Sequence, residues 1–324
     1  MTEGKIMKIV FLETDTLGND VNLSRFDTLG ETVKYSKTIA PEIPERIKDA
    51  DIIVANKLPM NESTLGKADK LRLVCLTATG TNNVDFDYTN RRGITVTNVR
   101  GYSTQSVIQH TFAIFFYVYE KLRYYDDFVK SGGYIETDIF SHFDKKFYEL
   151  YGKTWGIIGL GEIGRGVAGI AQAFGCNVIY YSTSGRNDNG DYRRVELDTL
   201  LECSDVISIH APLNERTRDL IGEKELRKMK KTAVLLNLGR GAIVNEQALY
   251  KALSEDWIAA AALDVLSVEP MSPENPLYKI KDSTKLIITP HIAWATVEAR
   301  QRVTDEVYEN IIAYLNGKER NVVR

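Results

Sequence analysis

The sequence predicts an α/β protein of two domains, each built on a doubly wound parallel sheet. Three observations lead there. Short apolar runs alternate with helical stretches from one end of the chain to the other, the pattern of strand–helix–strand units. A glycine turn, Gly159-Leu160-Gly161-Glu162-Ile163-Gly164, lies near the middle, so about half of the chain must build something else first. A length of 324 residues, 44% of them hydrophobic, is enough for two separate cores.

In the first half the candidate strands are Lys8 to Glu13, Ile52 to Ala55, Leu73 to Leu76 and Thr95 to Asn98, separated by more polar helical or loop segments. A loop at Gly101-Tyr102-Ser103-Thr104 opens a long helix through Val107, Ile108, Phe112, Phe115 and Phe116, with Ser103 or Thr104 as N-cap. Its largely apolar circumference predicts burial between domains or subunits. The glycine turn follows the apolar run Trp155-Gly156-Ile157-Ile158. It leads into a helix through Val167, Ile170, Ala171 and Phe174, then a strand at Val178 to Tyr181. Strand, glycine turn, helix and strand form the context in which this motif binds a dinucleotide. The first glycine permits the turn, the second lets backbone approach a pyrophosphate, and the third lets helix pack on strand. The helix N-terminus at Glu162 and Ile163 supplies unpaired N–H groups for the phosphates.

Further strands at Val206 to His210, Ala233 to Asn237, Ala259 to Asp264 and Leu286 to His291 each end on a polar residue or loop. Ligands of open α/β sheets bind beyond the carboxyl ends of the strands, so these termini should converge on one crevice. A last helix runs from Thr296 to Leu315 and stops near Gly317.

Charge excludes several function classes. Lys plus Arg number 41 and Asp plus Glu 44, a net charge of −3 with no basic tail or stripe, so neither nucleic acid nor an anionic membrane is expected as a partner. The longest strongly apolar stretch, Phe112 to Tyr119, is too short to span a bilayer. The start of the chain lacks the charged, apolar and small-residue plan of a secretory leader. Cys75, Cys176 and Cys203 show no paired spacing, which reads as small buried thiols in a reducing compartment. A cytoplasmic protein without a bound metal is the expectation.

Four histidines are available for acid–base chemistry. His110 sits inside the long apolar helix and reads as structural. His142 lies in an aromatic, charged loop and reads as surface. His210 ends a strand before Ala211-Pro212; it borders the expected crevice and should help to fix that loop. His291 also ends a strand, and an imidazole there suits proton donation because histidine ordinarily titrates near neutrality. Arg240, between Gly239 and Gly241, is poor for packing but suited to gripping a carboxylate. Glu269 is placed to hold the second nitrogen of His291 and stabilise the imidazolium.

At these residues the chain resembles the D-isomer-specific 2-hydroxyacid dehydrogenases over nearly its whole length. The matching segments are Ala78 to Asp85, Tyr102 to Val107, Gly159 to Gly164, Asn237 to Gly241, Asp264 to Pro270 and Thr289 to Thr296. Within the family, Pro290 to Thr296 is most similar to the glycerate dehydrogenases, also described as hydroxypyruvate or glyoxylate reductases. The resemblance implies a Rossmann nucleotide-binding domain (residues 102–296) inserted into a discontinuous, flavodoxin-like substrate domain (1–101 and 297–324). It implies a homodimer embraced through the long helix and the segment from Phe128 to Tyr151.

It also implies His291 as acid/base, Glu269 as its partner and Arg240 as substrate clamp. Backbone N–H groups of Thr79 and Gly80 would hold the substrate carboxylate. By their own bulk, Trp294 and Tyr102 would narrow the pocket. Asp264 and the backbone after His291, including Ala293, would orient the nicotinamide. Further cofactor contacts are implied at Thr104, the 159–164 turn, His210, Ala211, Pro212 and Leu238.

NAD-preferring members carry an acid at the end of the second strand of this fold, where it binds the ribose hydroxyls. Here the strand is followed by Ser182, Thr183, Ser184, Gly185 and Arg186, and the first acid is Asp188. Hydroxyls and a guanidinium suit a 2′-phosphate that a carboxylate would repel, so NADP(H) is favoured, with NAD(H) the second choice. The expected reaction reduces hydroxypyruvate or glyoxylate to D-glycerate or glycolate. The rival readings are a broader, pyruvate-type 2-keto acid reductase and a non-enzymatic dinucleotide sensor of the co-repressor kind.

Overall fold

The computed structural model describes residues 7–186 and 190–324. The first residues of the chain, read above against a leader, and Asp188 lie outside the described residues. The chain divides into two compact units, Met1–Ser103 with Ala295–Arg324, and Thr104–Trp294.

The first unit holds β1 (Lys8–Phe11), β2 (Glu31–Lys34), β3 (Ile52–Ala55), β4 (Leu73–Leu76) and β5 (Thr95–Thr97). The second holds β6 (Thr154–Ile158), β7 (Asn177–Tyr181), β8 (Arg193–Arg194), β9 (Val206–Ile209), β10 (Val234–Asn237), β11 (Ala260–Leu263) and β12 (Leu286–Ile288). The last strand, β13 (Val322–Val323), returns to the first unit.

The first sheet has the order β13-β5-β4-β3-β1-β2. Its parallel part, read from β2, is the 2-1-3-4-5 flavodoxin-like order, and the short β13 adds antiparallel to β5 at the far edge. Val10, Ile53, Val74 and Val96 lie in one row across four strands. All four are buried, as parallel strands covered on both faces require.

The second sheet runs β12-β11-β10-β9-β6-β7-β8, all parallel. Counted from β6, this is the order 3-2-1-4-5-6-7, extending by one strand the arrangement whose crevice opens where the winding reverses. That switch point falls between β6 and β9. Trp155 of β6 is fully buried, its Nε1 donates to Ser208 Oγ at 2.9 Å, and its ring meets Phe112 and Phe115 at centroid distances of 5.2 and 4.9 Å.

Those two phenylalanines belong to the long helix Thr104–Tyr119. It packs so closely on the helix Glu162–Ala173 that a Cβ on Gly166 would stand 2.1 Å from Ile108 Cδ1. Sheet and helix of its own unit cover the buried part of its apolar face. The closing helix, Val297–Leu315, begins as expected, with Thr296 accepting from the N–H of Ala299 at 3.3 Å.

One further departure concerns the segment after the long helix. His142 is not a bare surface residue; its ring stacks on Phe128 at 3.8 Å and its Nε2 lies 2.8 Å from Tyr124 Oη. Around it, Ile135, Phe140, Phe143 and Tyr151 are strongly exposed, Phe140 to 90%. Among the described residues no helix is long and apolar enough to cross a membrane, and no group of three or more His, Cys, Asp or Glu could hold a metal ion.

Candidate active site

The glycine turn joins β6 to its helix at the switch point, and each glycine has a distinct steric reason. Gly159 has φ of +94°, and a Cβ there would lie 2.9 Å from the backbone nitrogen of Ala211. A Cβ on Gly164 would be 2.4 Å from the Gly159 carbonyl, so this position lets the helix close on its strand. At Gly161 a Cβ would meet nothing within 4 Å. That open space at a helix N-terminus suits the approach of a pyrophosphate.

A second observation favours a ligand here. His210, one residue past β9, has both ring nitrogens buried, and neither has a hydrogen-bond partner among the described residues. Burial pushes its pKa down from 6.5 to about 4. A buried neutral imidazole without partners does not fix its loop through ring hydrogen bonds, which corrects the sequence reading; it is instead an orphaned polar group in the crevice that a cofactor could satisfy. Ala211, Pro212 and the buried Leu238 lie on the neighbouring strand ends.

Beyond β7 the chain makes a tight turn in which Gly185 N–H donates to the Ser182 carbonyl at 3.1 Å. Ser182 is buried, Thr183 half-buried, and Ser184 and Arg186 are exposed. The Arg186 N–H donates to Ser184 Oγ at 3.2 Å. Arg194, a residue the sequence reading missed, donates from Nη1 to the Gly185 carbonyl at 3.1 Å. It brings a second guanidinium to this turn because β8 runs parallel to β7.

The three residues expected to do chemistry follow three adjacent strands. Asn237, Leu263 and Ile288, near the ends of β10, β11 and β12, stand in register. Arg240 follows the first, Glu269 the second and His291 the third. His291 Nδ1 lies 2.7 Å from Glu269 Oε2. A carboxylate can only accept, so Nδ1 carries a proton and Nε2 is left as the exchanging atom. Glu269 is itself anchored, with Oε1 accepting from the Leu266 N–H at 2.9 Å. Arg240 is half-buried and donates from Nη1 to the Gly239 carbonyl at 2.8 Å. Its loop is pressed against the β11 loop: a Cβ on Gly241 would stand 1.8 Å from the Leu266 carbonyl carbon.

Asp264, only 2% exposed, holds the His291 loop. Its carboxylate accepts from the N–H groups of Ile292 and Ala293, both at 2.9 Å, and from Thr289 Oγ1 at 2.6 Å. Its backbone carbonyl accepts from the His291 N–H at 2.8 Å. His110 reaches this group as well, with Nε2 3.0 Å from Thr289 Oγ1. Burial holds His110 below its ordinary pKa, although the charge of Asp264 pulls the other way. The 3.6 Å approach to Asp264 Oδ1 is therefore not an ion pair at neutral pH. Trp294 is half-buried at the end of this loop, and Thr104 is buried at the start of the long helix.

Thr79 and Gly80 belong to the first unit, after β4. Their loop is braced by Thr79 Oγ1 donating to the Val99 carbonyl and by Asn98 Nδ2 donating to the Thr79 carbonyl, both at 2.7 Å.

Comparison with known proteins shows the family of the chain. Residues 112–293 match the family described as D-isomer specific 2-hydroxyacid dehydrogenase, NAD binding domain. A glycerate dehydrogenase of Methylorubrum extorquens is 37% identical over 317 residues, 98% of each chain. A hydroxypyruvate reductase of Blautia hydrogenotrophica is 38% identical over 98% of this chain and 99% of its own. Among solved structures, the D-lactate dehydrogenase of Aquifex aeolicus with NAD and lactic acid superposes with a TM-score of 0.83 at 27% identity, covering 95% of this chain and 96% of that one. An acyclic imino acid reductase in complex with NADPH and D-Arg gives 0.85 at 29% identity, covering 98% and 100%. The chain belongs to the D-isomer-specific 2-hydroxyacid dehydrogenases and carries their nicotinamide dinucleotide-binding domain.

Proposed function

We propose that this enzyme reduces hydroxypyruvate or glyoxylate to the D-2-hydroxy acid with NADPH as the preferred reductant. The observation that carries the proposal is the 2.7 Å pair of His291 and Glu269, after the ends of β12 and β11, with Arg240 following the end of the next strand, β10. The names of the two relatives aligned over almost the full chain support the substrate class.

When bound, the reduced nicotinamide supplies a hydride to the carbonyl carbon. His291 donates the Nε2 proton to the carbonyl oxygen, and Glu269 stabilises the imidazolium while remaining a carboxylate. Arg240 polarises the carbonyl, and its guanidinium counters negative charge on the substrate. Thr79 and Gly80 hold the carboxylate through backbone N–H groups, and Trp294 limits the size of the third carbon substituent. The Gly159–Gly164 turn and His210 hold the dinucleotide, with Ser182, Thr183, Ser184 and Arg186 around its 2′-phosphate. The absence of an acid at Ser182 supports the NADPH preference, and Arg194 adds positive charge to the same turn. The exposed aromatic segment around Phe140 supports a homodimer, and three unpaired cysteines support a reducing, cytoplasmic setting.

A panel of 2-keto acids run with NADPH and NADH tests the proposal. The expected result is the highest kcat/KM for hydroxypyruvate or glyoxylate with NADPH. Higher kcat/KM for pyruvate or bulkier acids, or no turnover with any of them, would overturn it.

A further inference from the structure

The His291 loop is held in a conformation that side-chain-bearing residues rarely adopt: His291 has φ of 55°. Two groups on one face of the long helix grip this loop on either side of the histidine. Ser106 Oγ donates to the Ala293 carbonyl at 2.5 Å. One turn later, at the i+4 position, His110 Nε2 meets Thr289 Oγ1 at 3.0 Å. The Thr289 hydroxyl has a single proton, and the 2.6 Å contact with Asp264 Oδ1 takes it. Thr289 can then only accept from His110, which fixes the Nε2–H tautomer. The chain of donors runs from His110 to Thr289 to the Asp264 carboxylate, which in turn holds the two N–H groups following His291.

We propose that His110 is a positioning residue for the reduction: acting through Thr289 and Asp264, it fixes the backbone of residues 289–293 and so aims the His291 imidazole. The inference rests on the reading of His291 as proton donor. Nothing in it requires His110 to touch the substrate or to exchange a proton, and its effect therefore belongs in kcat rather than in substrate affinity.

The test uses the full-length enzyme and NADPH-dependent reduction of hydroxypyruvate. His110→Phe keeps the ring size and removes the donor; it should lower kcat about tenfold while KM for the keto acid stays within about twofold, the effect of one well-placed hydrogen bond. His110→Gln carries an amide N–H near the Nε2 position and should restore kcat to within about threefold of wild type. If both act through one chain, adding His110→Phe to Thr289→Val should cost nothing beyond Thr289→Val alone. Should His110→Phe melt below the assay temperature, His110→Asn takes its place: its amide lies near Nδ1 and cannot reach Thr289, so the same loss is expected. A wild-type kcat in the variant lacking the donor, a loss that Gln does not rescue, or multiplying losses in the double variant would overturn the inference. His291→Gln separates the two readings. If it keeps wild-type kcat, the proton-donor reading falls; if it is inactive while His110→Phe is unaffected, only the positioning role falls.

Discussion

Gly241→Ala is the substitution whose consequence follows most directly from distances. The new Cβ would stand 1.8 Å from the Leu266 carbonyl carbon, 2.1 Å from its oxygen and 2.3 Å from the Ser267 nitrogen. Ordinary carbon contacts lie at about 3.5 Å or more, so the two loops must part by roughly 1.5 Å. No side-chain rotation relieves this, because all three atoms are backbone. Retreat of the β11 loop is resisted: Glu246 accepts from the Ser267 N–H and hydroxyl at 2.6 and 2.8 Å, and Asn275 Nδ2 donates to the same carboxylate. The movement is therefore shared between Arg240, the preceding residue, and Glu269, whose carboxylate is tied to the Leu266 N–H. A misplacement near 1 Å costs about a hundredfold in rate, and overpacking costs about 1–3 kcal/mol. We expect kcat/KM for hydroxypyruvate to fall about a hundredfold, with a drop in melting temperature of roughly 5 °C. Gly169→Ala is the control. It lies exposed in the helix Glu162–Ala173 with nothing within 4 Å of its would-be Cβ, so it should add about 0.5–1 kcal/mol of stability and leave activity unchanged. If Gly241→Ala loses stability but keeps kcat/KM within about threefold, the two loops do not transmit their displacement to the reacting groups.

Three further predictions follow from single residues. His210, with its pKa near 4 in the fold against an ordinary 6.5, is protonated first in the unfolded chain. Stability is therefore whole above pH 6.5 and is lost as pH falls towards 4, by up to about 3 kcal/mol. In denaturant melts His210→Asn should lose less stability over that window; parallel curves for variant and wild type would sink the idea. Ser182→Asp places a carboxylate at the end of β7 and should move the kcat/KM ratio towards NADH by about tenfold or more; an unchanged ratio refutes the NADPH assignment. Burial raises the Cys75 and Cys176 thiols to about 12 and about 11, whereas Cys203 is exposed. A thiol reagent should therefore titrate one cysteine rapidly in the native enzyme and all three after denaturation, and rapid native reaction of all three would contradict the burial.

The strands legible in the sequence are those buried on both faces, where an unbroken apolar run is the only solution. Leu73 to Leu76 and Ile52 to Ala55 are found where the runs place them. The missed strands are edges or fragments. Glu31–Lys34 offers one aliphatic side chain, Arg193–Arg194 is wholly exposed, and Val322–Val323 has two residues; each pairs because a neighbour is already in place. Strand ends also came out shorter than the apolar runs suggested, since His210, Asp264 and His291 leave the ladder to serve the crevice. That Arg240, Glu269 and His291 follow successive strand ends was readable because few packing reasons put such residues there. Their supports were not. Thr289, Ser106 and His110 meet only because the long helix lies across its own sheet, and no local pattern marks a hydroxyl on a helix as the grip on a loop 187 residues away.

The two halves of the site are built with different rigidity, and this bears on how each can change. Arg240, Glu269 and His291 issue from three strands locked in register, at a spacing of about 4.8 Å per strand. Their loops are sealed against each other by Gly241 and by the buried Asp264. Displacing the backbone of one loop displaces the others, so on the proposed roles of these residues the reaction type is held by backbone that tolerates little substitution. The turn after β7 lies towards the sheet edge, with the two-residue β8 as the outer neighbour of β7, and its hydrogen bonds include Ser182 to Gly185, Ser184 to Arg186 and Arg194 to Gly185. A change of charge there lies three strands away from β10, the strand that Arg240 follows. Cofactor preference should accordingly shift by single substitutions near Ser182 at little cost to kcat, whereas hydride transfer to a keto acid should survive only substitutions that leave the register of β10, β11 and β12 intact.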